Sequence, residues 1–234
     1  MAINVNTVYK TVLLILNKEQ RGYMTPEEFN RIGTQVQLEI FEKYFEDLNQ
    51  AARSMEPGAE YSDRIAYLEE KLSVFSVYEK GQTISTGVLS GTSSGSNEVH
   101  RLNTAIYKDI EVQSISRSEY LSISKSTYTK PLETQPVLVQ EKGLFYIYPE
   151  SIASDVYLSF VKKPKDVLWN FQVDQNLGVY MYTAGGSQDF ELHSSEQAEV
   201  ILRILSYAGI VLNNPQIVQA ASAAVQNQNI NEKS

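Results

Sequence analysis

Met24-Thr25-Pro26-Glu27-Glu28-Phe29 reads as the first turn of a helix, and the residues after it say how that helix packs. Thr25 is placed to accept at the N-cap, and Pro26 at the first helical position lacks only an N–H that would be orphaned anyway. Glu28, three residues on, completes a capping box, and Met24 and Phe29 are spaced for a hydrophobic staple. The helix is expected to continue to about Gln50. In its first half Phe29, Ile32, Val36 and Ile40 fall on one face. In its second half Phe41, Tyr44, Phe45 and Leu48 are turned about a quarter to a third of a turn further round. The two halves therefore meet different neighbours. Either both neighbours belong to one curved core, or one of them is another subunit.

Outward from this helix the chain is helical at both ends. A first helix is expected from about Asn6, its cap, to Gln20, with Val8, Val12, Ile15 and Leu16 as the apolar stripe and Gly22 as the stop. Pro57-Gly58 marks a turn, and a third helix carries Ile65, Leu68, Leu72 and Phe75, with Ser62 as its candidate cap. From Ser76 to Glu191 the period changes to two. Thr83–Leu89, Leu102–Val112, Val137–Val139, Leu144–Tyr148 and Val156–Val161 are expected strands, with Glu141-Lys142-Gly143 as a hairpin turn and 91–97 as a Ser/Gly loop. Helix returns with a second capping box at Ser194 and Gln197 and a stripe of Ile201, Ile204, Leu205, Ala208 and Leu212. Asn214 and Pro215 end that helix and start an Ala-rich one running to about Gln226.

These readings define an α+β chain. N- and C-terminal helices form a bundle, and a central antiparallel β-sheet or sandwich is inserted between them. The expected divisions are 1–75 and 192–226 for the helices, 76–191 for the β-domain and 227–234 for a polar flexible tail.

The 234 residues are 42% hydrophobic and 21% charged, ordinary for a globular protein able to bury its own core. There is no cysteine, which excludes disulfides and thiolate metal sites. Lys10 precedes only a short apolar run, Val12–Leu16, so neither an export signal nor a membrane span is expected. The net charge of −8 without a basic cluster argues against phosphate-driven nucleic-acid binding. Fifteen Tyr against eight Phe and one Trp suit either strand formation or an interface.

No phosphate loop, dinucleotide fingerprint or nucleophile elbow occurs in the sequence. Asp189, Glu191 and His193 alternate, so an extended strand would place them on one face as an oxygen and nitrogen half-site for a metal. Alternation is also the ordinary pattern of a solvated strand, and acids suit the approach to a helix N-terminus. Lys162-Lys163 with Lys165 is the densest basic patch and fits a solvated strand end. Trp169 is either a core plug or an interface anchor. No catalytic, cofactor or metal residues are assigned.

A resemblance spans the chain. Thr25-Pro26-Glu27-Glu28-Phe29-Asn30 with the Gln37–Asn49 helix is similar to the opening of neck proteins of crAss-like and related short-tailed bacteriophages. Tyr146-Ile147-Tyr148-Pro149, then Leu158-Ser159-Phe160-Val161-Lys162-Lys163-Pro164 with Trp169, resembles their strand, Lys-Pro turn and Trp. Asp189-Phe190-Glu191-Leu192, Ser195-Glu196, Ile204–Ile210 and Asn214-Pro215 resemble their C-terminal helix and its stop. The resemblance implies a head–tail connector, a structural virion protein forming a ring between portal and tail, with about twelve copies around the DNA channel. Its partners would be itself, the portal and adjacent neck or tail rings, with DNA passing unbound. It would be assembled in the bacterial cytoplasm, without cofactor, catalytic residue or membrane.

A closing ring needs two different faces on each subunit. The expected interface residues are Phe41, Tyr44, Phe45 and Trp169, with Pro215, Ile217 and Val218 in the C-terminal segment that the resemblance assigns to a partner. The alternative is a carbohydrate- or surface-binding β-module with helical attachment segments, its platform the Tyr-rich middle.

Overall fold

The computed structural model describes all residues except 1, 19–23, 54–58, 83–87, 91–97, 142–143, 153, 175–177, 212–218 and 228–234. At 18, 51–53, 59–64, 80–82, 88–90, 210 and 211 it describes the backbone alone. The fold is mixed α and β. Three helices come first: α1 (Val5–Lys18), α2 (Pro26–Arg53) and α3 (Ala59–Ser73). Strands β1 (Ser76–Gln82), β2 (Val88–Ser90), β3 (Val99–Tyr107) and β4 (Ile110–Ile115) follow, then a short α4 (Arg117–Ile123). Next come β5 (Val137–Glu141), β6 (Leu144–Tyr148), β7 (Val156–Lys162), β8 (Phe171–Val173) and β9 (Tyr180–Tyr182). A 3-10 turn (Ser194–Glu196) leads into α5 (Gln197–Val211), and 219–227 form α6.

The chain divides into two compact units. One joins Met1–Val74 to Pro164–Ser234, and the other is Phe75–Lys163. The β-domain expected over 76–191 therefore ends at 163. The stretch from Pro164 to Leu192 clusters with the helices, because its backbone is held by polar side chains of α2.

In the helical unit, α2 packs on α3 and α5, and α1 packs on α5. The capping box at the start of α2 forms as read: Thr25 N–H donates to Glu28 Oε2 at 2.9 Å and Glu28 N–H to Thr25 Oγ1 at 3.3 Å. Met24 and Phe29 of the staple are buried. Asn6 is not the cap of α1. Asn4 is, its Oδ1 accepting from Thr7 N–H at 3.0 Å, while Asp189 Oδ1 takes the Val5 N–H at 2.8 Å. At α3, Ser62 lies inside the helix rather than at its cap. At the C-terminal side His193, not Ser194, caps the 3-10 turn, accepting from Ser195 N–H.

In the other unit the strands form one mixed sheet, ordered β1-β7-β3-β4-β5-β6-β2. The expectation of a purely antiparallel sheet or sandwich is corrected at β4 and β5, which run parallel. Parallel neighbours need a long crossover, and residues 116–136, with α4, provide it. The single strand expected over Leu102–Val112 is a hairpin. Lys108 and Asp109 turn it with φ of 44° and 66°, the left-handed pair of a two-residue hairpin loop. The expected hairpin of β5 and β6 forms, with Glu141 paired to Leu144 at the end of the strand rather than in the turn, and Lys142 and Gly143 lie outside the described residues. Leu138, Phe145, Ile147, Val156 and Phe160 make the core of one sheet face. Val137, Val139 and Ile115 are buried on the other with Tyr120 and Ile123 from α4.

Candidate functional site

The helical unit is organised by polar groups buried between its elements. Glu196, at the end of the 3-10 turn, meets Lys71 of α3 at 2.6 Å, with the two side chains 2% and 4% exposed. One turn further, Glu199 of α5 takes Lys43 of α2 at 3.3 Å and Arg203 at 2.6 Å. Arg203 also reaches Glu39 of α2 at 3.5 Å, and the Tyr207 hydroxyl donates to the same carboxylate. This hydrogen bond, with burial, raises the Tyr207 pKa. Each buried carboxylate thus meets a cation from another element, the condition under which buried charge is tolerated.

Burial on its own would raise the Glu199 carboxyl, but Lys43 and Arg203 outweigh it and hold the pKa below its ordinary 4.5. A depressed folded-state pKa contributes stability above the unfolded value and loses it as pH falls through the folded one. The helical unit should therefore weaken below about pH 4.5. Urea midpoints measured from pH 7 to pH 3 check this, and Glu199→Gln should flatten that part of the profile.

Gln37 is a second lock that spacing did not reveal. Fully buried on α2, it donates to Lys165 O at 2.7 Å and accepts from Glu191 N–H at 2.8 Å. Thr34 and Asn30, along the same edge of α2, hold Val167 N–H and Trp169 N–H. The two ends of the 164–191 stretch are thereby tied to α2 by side chains, with the two-stranded β8–β9 sheet between them. Gln37→Leu would strand two inner backbone groups, each costing about 1–3 kcal/mol. A loss of about 2–3 kcal/mol in urea unfolding is expected, larger than an exposed Gln35→Leu should cause.

Trp169 is a core plug, 3% exposed. Its indole N–H donates to Asn6 Oδ1 at 3.2 Å, and its ring meets Tyr9, Phe171 and Tyr182 at centroid distances of 4.4, 5.9 and 5.7 Å. Phe41 and Tyr44, expected at an interface, are also buried inside the chain, and Lys71 of α3 lies over the Tyr44 ring. Both apolar faces of α2 thus find neighbours within their own unit. Phe45, half-buried, lines an outer groove. Pro215, Ile217 and Val218 lie outside the described residues.

Asp189, Glu191 and His193 are not brought together as a metal site. Asp189 serves the start of α1, Glu191 accepts from Lys165 N–H at 3.2 Å, and His193 Nδ1 bonds Ser195 Oγ at 2.8 Å. Among the described residues no cluster of three such groups could hold a metal ion. Of the basic patch, Lys163 pairs with Glu98 at 3.3 Å on the strand end.

Two surfaces of the helical unit remain. One joins α1 to the β8–β9 hairpin around a mainly apolar cavity of about 700 Å3, lined by Lys10, Leu13, Val179, Tyr180 and Met181 over the Trp169 floor. Within that lining Val179 is 54% exposed and Met181 is 50% exposed. Exposed apolar side chains gathered around one cavity make this a candidate interaction surface. The other is a groove of about 1120 Å3 between α2 and Arg203 of α5, with Leu38 and Phe45 among Glu39, Glu42 and Glu46.

In the sheet unit, Arg117 at the start of α4 pairs with Glu141 at 2.8 Å and bonds the Tyr148 hydroxyl at 2.8 Å. Tyr120 stacks on Tyr148 at 4.0 Å. This cluster fastens α4 to the sheet and spends its ring faces on internal contacts. Tyr78 and Tyr157 lie nearly parallel, 6.3 Å apart, on β1 and β7.

Among the described residues no helix is long and apolar enough to cross a membrane. No protein-family model matches the sequence, and a search of the curated proteins finds no match.

Proposed function

We propose that the chain is a structural subunit of a bacteriophage neck, assembling with copies of itself into a ring between portal and tail. In this reading the N- and C-terminal helices act as one bundle carrying a β insertion, about twelve copies close the ring, and DNA passes through without specific contacts. The observation that carries the reading is the apolar surface shared by α1 and the β8–β9 hairpin, where Val179, Tyr180 and Met181 are exposed to water in the lone chain. The second groove, on α2 and α5, is lined by a different set of residues, which supports the two unlike faces a rotational ring requires. An acidic chain suits a channel that must release DNA.

The test is electron microscopy and mass photometry of the chain mixed with the portal protein encoded in the same genome. Rings stacked on the portal are expected. A chain that stays monomeric and indifferent to the portal overturns the proposal.

A second reading, a carbohydrate-binding surface on the sheet unit, draws on the near-parallel Tyr78 and Tyr157 rings. Glycan-array binding by the full chain that is lost in Tyr78→Ala would favour it over the ring.

A further inference from the structure

In the sheet unit the β3–β4 hairpin is a fork. Its ladder pairs Ala105, Ile106 and Tyr107 with Val112, Glu111 and Ile110, and then stops. Beyond it β3 stays with β7, while β4 turns to β5, where Gln113, Ser114 and Ile115 pair with Val137, Leu138 and Val139. Two local features part the strands. Asn103 is the extra residue of a bulge between Leu102 and Thr104 opposite β7, and a bulge bends its strand and can end a ladder. The Gln113 N–H donates to Pro136 O at 3.2 Å, on the β5 side. Strand backbone alternates in direction, so the Ser114 N–H and C=O are turned the other way, toward β3, where the ladder has no rung for them.

Between the arms lies a cleft of about 390 Å3, lined by residues 102–105 of β3 and 111–114 of β4, with Leu138 and Gln140 of β5. A pocket lying on one face of a sheet would touch every second residue of a strand. Four consecutive residues from each arm mean that this one enters between the strands and runs along their main-chain edges. Its floor is the buried apolar surface of Ala105, Val112 and Leu138. Its rim is Asn103, Thr104, Gln113, Ser114 and Gln140, and Glu111 is the one formal charge among the described lining residues. None of these six side chains spends a hydrogen bond or ion pair on another described residue. Asn30, Thr34 and Gln37 of the helical unit all do.

We infer that the fork takes a short extended segment of another protein, which adds as a strand between β3 and β4. Recognition is of main chain: the parted edges supply donors and acceptors, and every second side chain of the guest turns to the apolar floor. The rim amides and hydroxyls then meet the outward side chains, and Glu111 favours a basic residue among them. This chain, with a net charge of −8, is a poor source of such a segment, so a second copy is not the guest. A sugar could use the rim amides but has no need of two main-chain edges. The inference concerns the sheet unit alone and is independent of the ring proposed above.

The test titrates the full chain with a model strand, acetyl-Thr-Val-Thr-Val-Lys-amide, and with the same peptide N-methylated at alternate amides, while NMR follows backbone amide exchange. The parent peptide should bind and slow exchange at the Ser114 amide. N-methylation should weaken binding about tenfold or more, since it removes main-chain donors and leaves the side chains in place. Ser114→Pro, which deletes the amide facing β3 and spares the Gln113 and Ile115 pairing to β5, should weaken it to a similar extent. Should that variant fail to fold, the methylated peptide still decides, because it leaves the protein untouched. Equal binding of both peptides, unchanged exchange at Ser114, or no binding of the parent peptide at about 1 mM overturns the inference. So does slow exchange at Ser114 in the chain alone at every dilution, which would show the fork closed by its own chain. Binding of cellohexaose that shifts the Asn103 and Gln140 side-chain amides, with exchange at Ser114 unchanged, would assign the cleft to a sugar instead.

Discussion

Glu196→Ala should lower the stability of the helical unit by about 3–5 kcal/mol, because it leaves the Lys71 ammonium buried without its counter-charge. The pair is 2.6 Å apart, and neither side chain reaches solvent to any useful extent. The Tyr44 and Tyr67 rings near the Lys71 ammonium, at 5.6 and 4.4 Å from their centroids, soften the loss but do not replace a carboxylate. Lys71→Ala should cost a similar amount for the mirror reason. The double variant Lys71→Met with Glu196→Leu should recover most of either loss, since apolar groups of similar volume carry no desolvation penalty. Urea unfolding followed by the fluorescence of Trp169, which belongs to the same unit, reads all four proteins. A Glu196→Ala variant within 1 kcal/mol of the parent, on the scale of an exposed ion pair, would show that the pair is hydrated in solution.

Trp169→Ala should have an effect of comparable size, about 3–5 kcal/mol, through a cavity between α1, α2 and the β8–β9 hairpin. Two kinds of contact are lost together. The ring leaves Tyr9, Phe171 and Tyr182 without their central partner, and Asn6 Oδ1 loses the indole N–H. Trp169→Phe separates the two. It keeps an aromatic plug and abandons only the hydrogen bond and part of the volume, so a loss of about 1–2 kcal/mol is expected. Far-UV circular dichroism in urea serves here, because the fluorophore is gone. Equal losses in both variants would assign the effect to the hydrogen bond.

The helices were legible because their signals are local. The capping box Thr25–Glu28 and the apolar stripes of α1 and α2 need no distant partner, and the structure has them close to where spacing places them. The missed elements divide by cause. Ser116 and Glu119 form a Ser-x-x-Glu start for α4, a signal present in the sequence and hidden by the surrounding alternation. The Lys108-Asp109 turn lacks the glycine that usually announces such a loop. The parallel pairing of β4 and β5 depends on where a crossover lands, which no local pattern encodes. The site shows the same division. Phe41 and Tyr44 read as apolar and directional, but whether other helices of the same unit would cover α2 was decided by the packing of α3 and α5 on it, which no pattern within α2 encodes. Gln37 looked like a polar helix residue and turned out to be the buried clamp on Lys165 and Glu191.

The division of the chain also orders its birth. Phe75–Lys163 is continuous in sequence, whereas the helical unit is interrupted by it and needs Pro164 and beyond for Trp169, Glu196 and Glu199. On a ribosome, where domains fold as they emerge, the sheet can complete itself while α1, α2 and α3 still wait for the residues that anchor them. During that interval Phe29, Phe41 and Lys71 lack part or all of their final surroundings, so the nascent chain passes through a stage open to premature pairing with a neighbour.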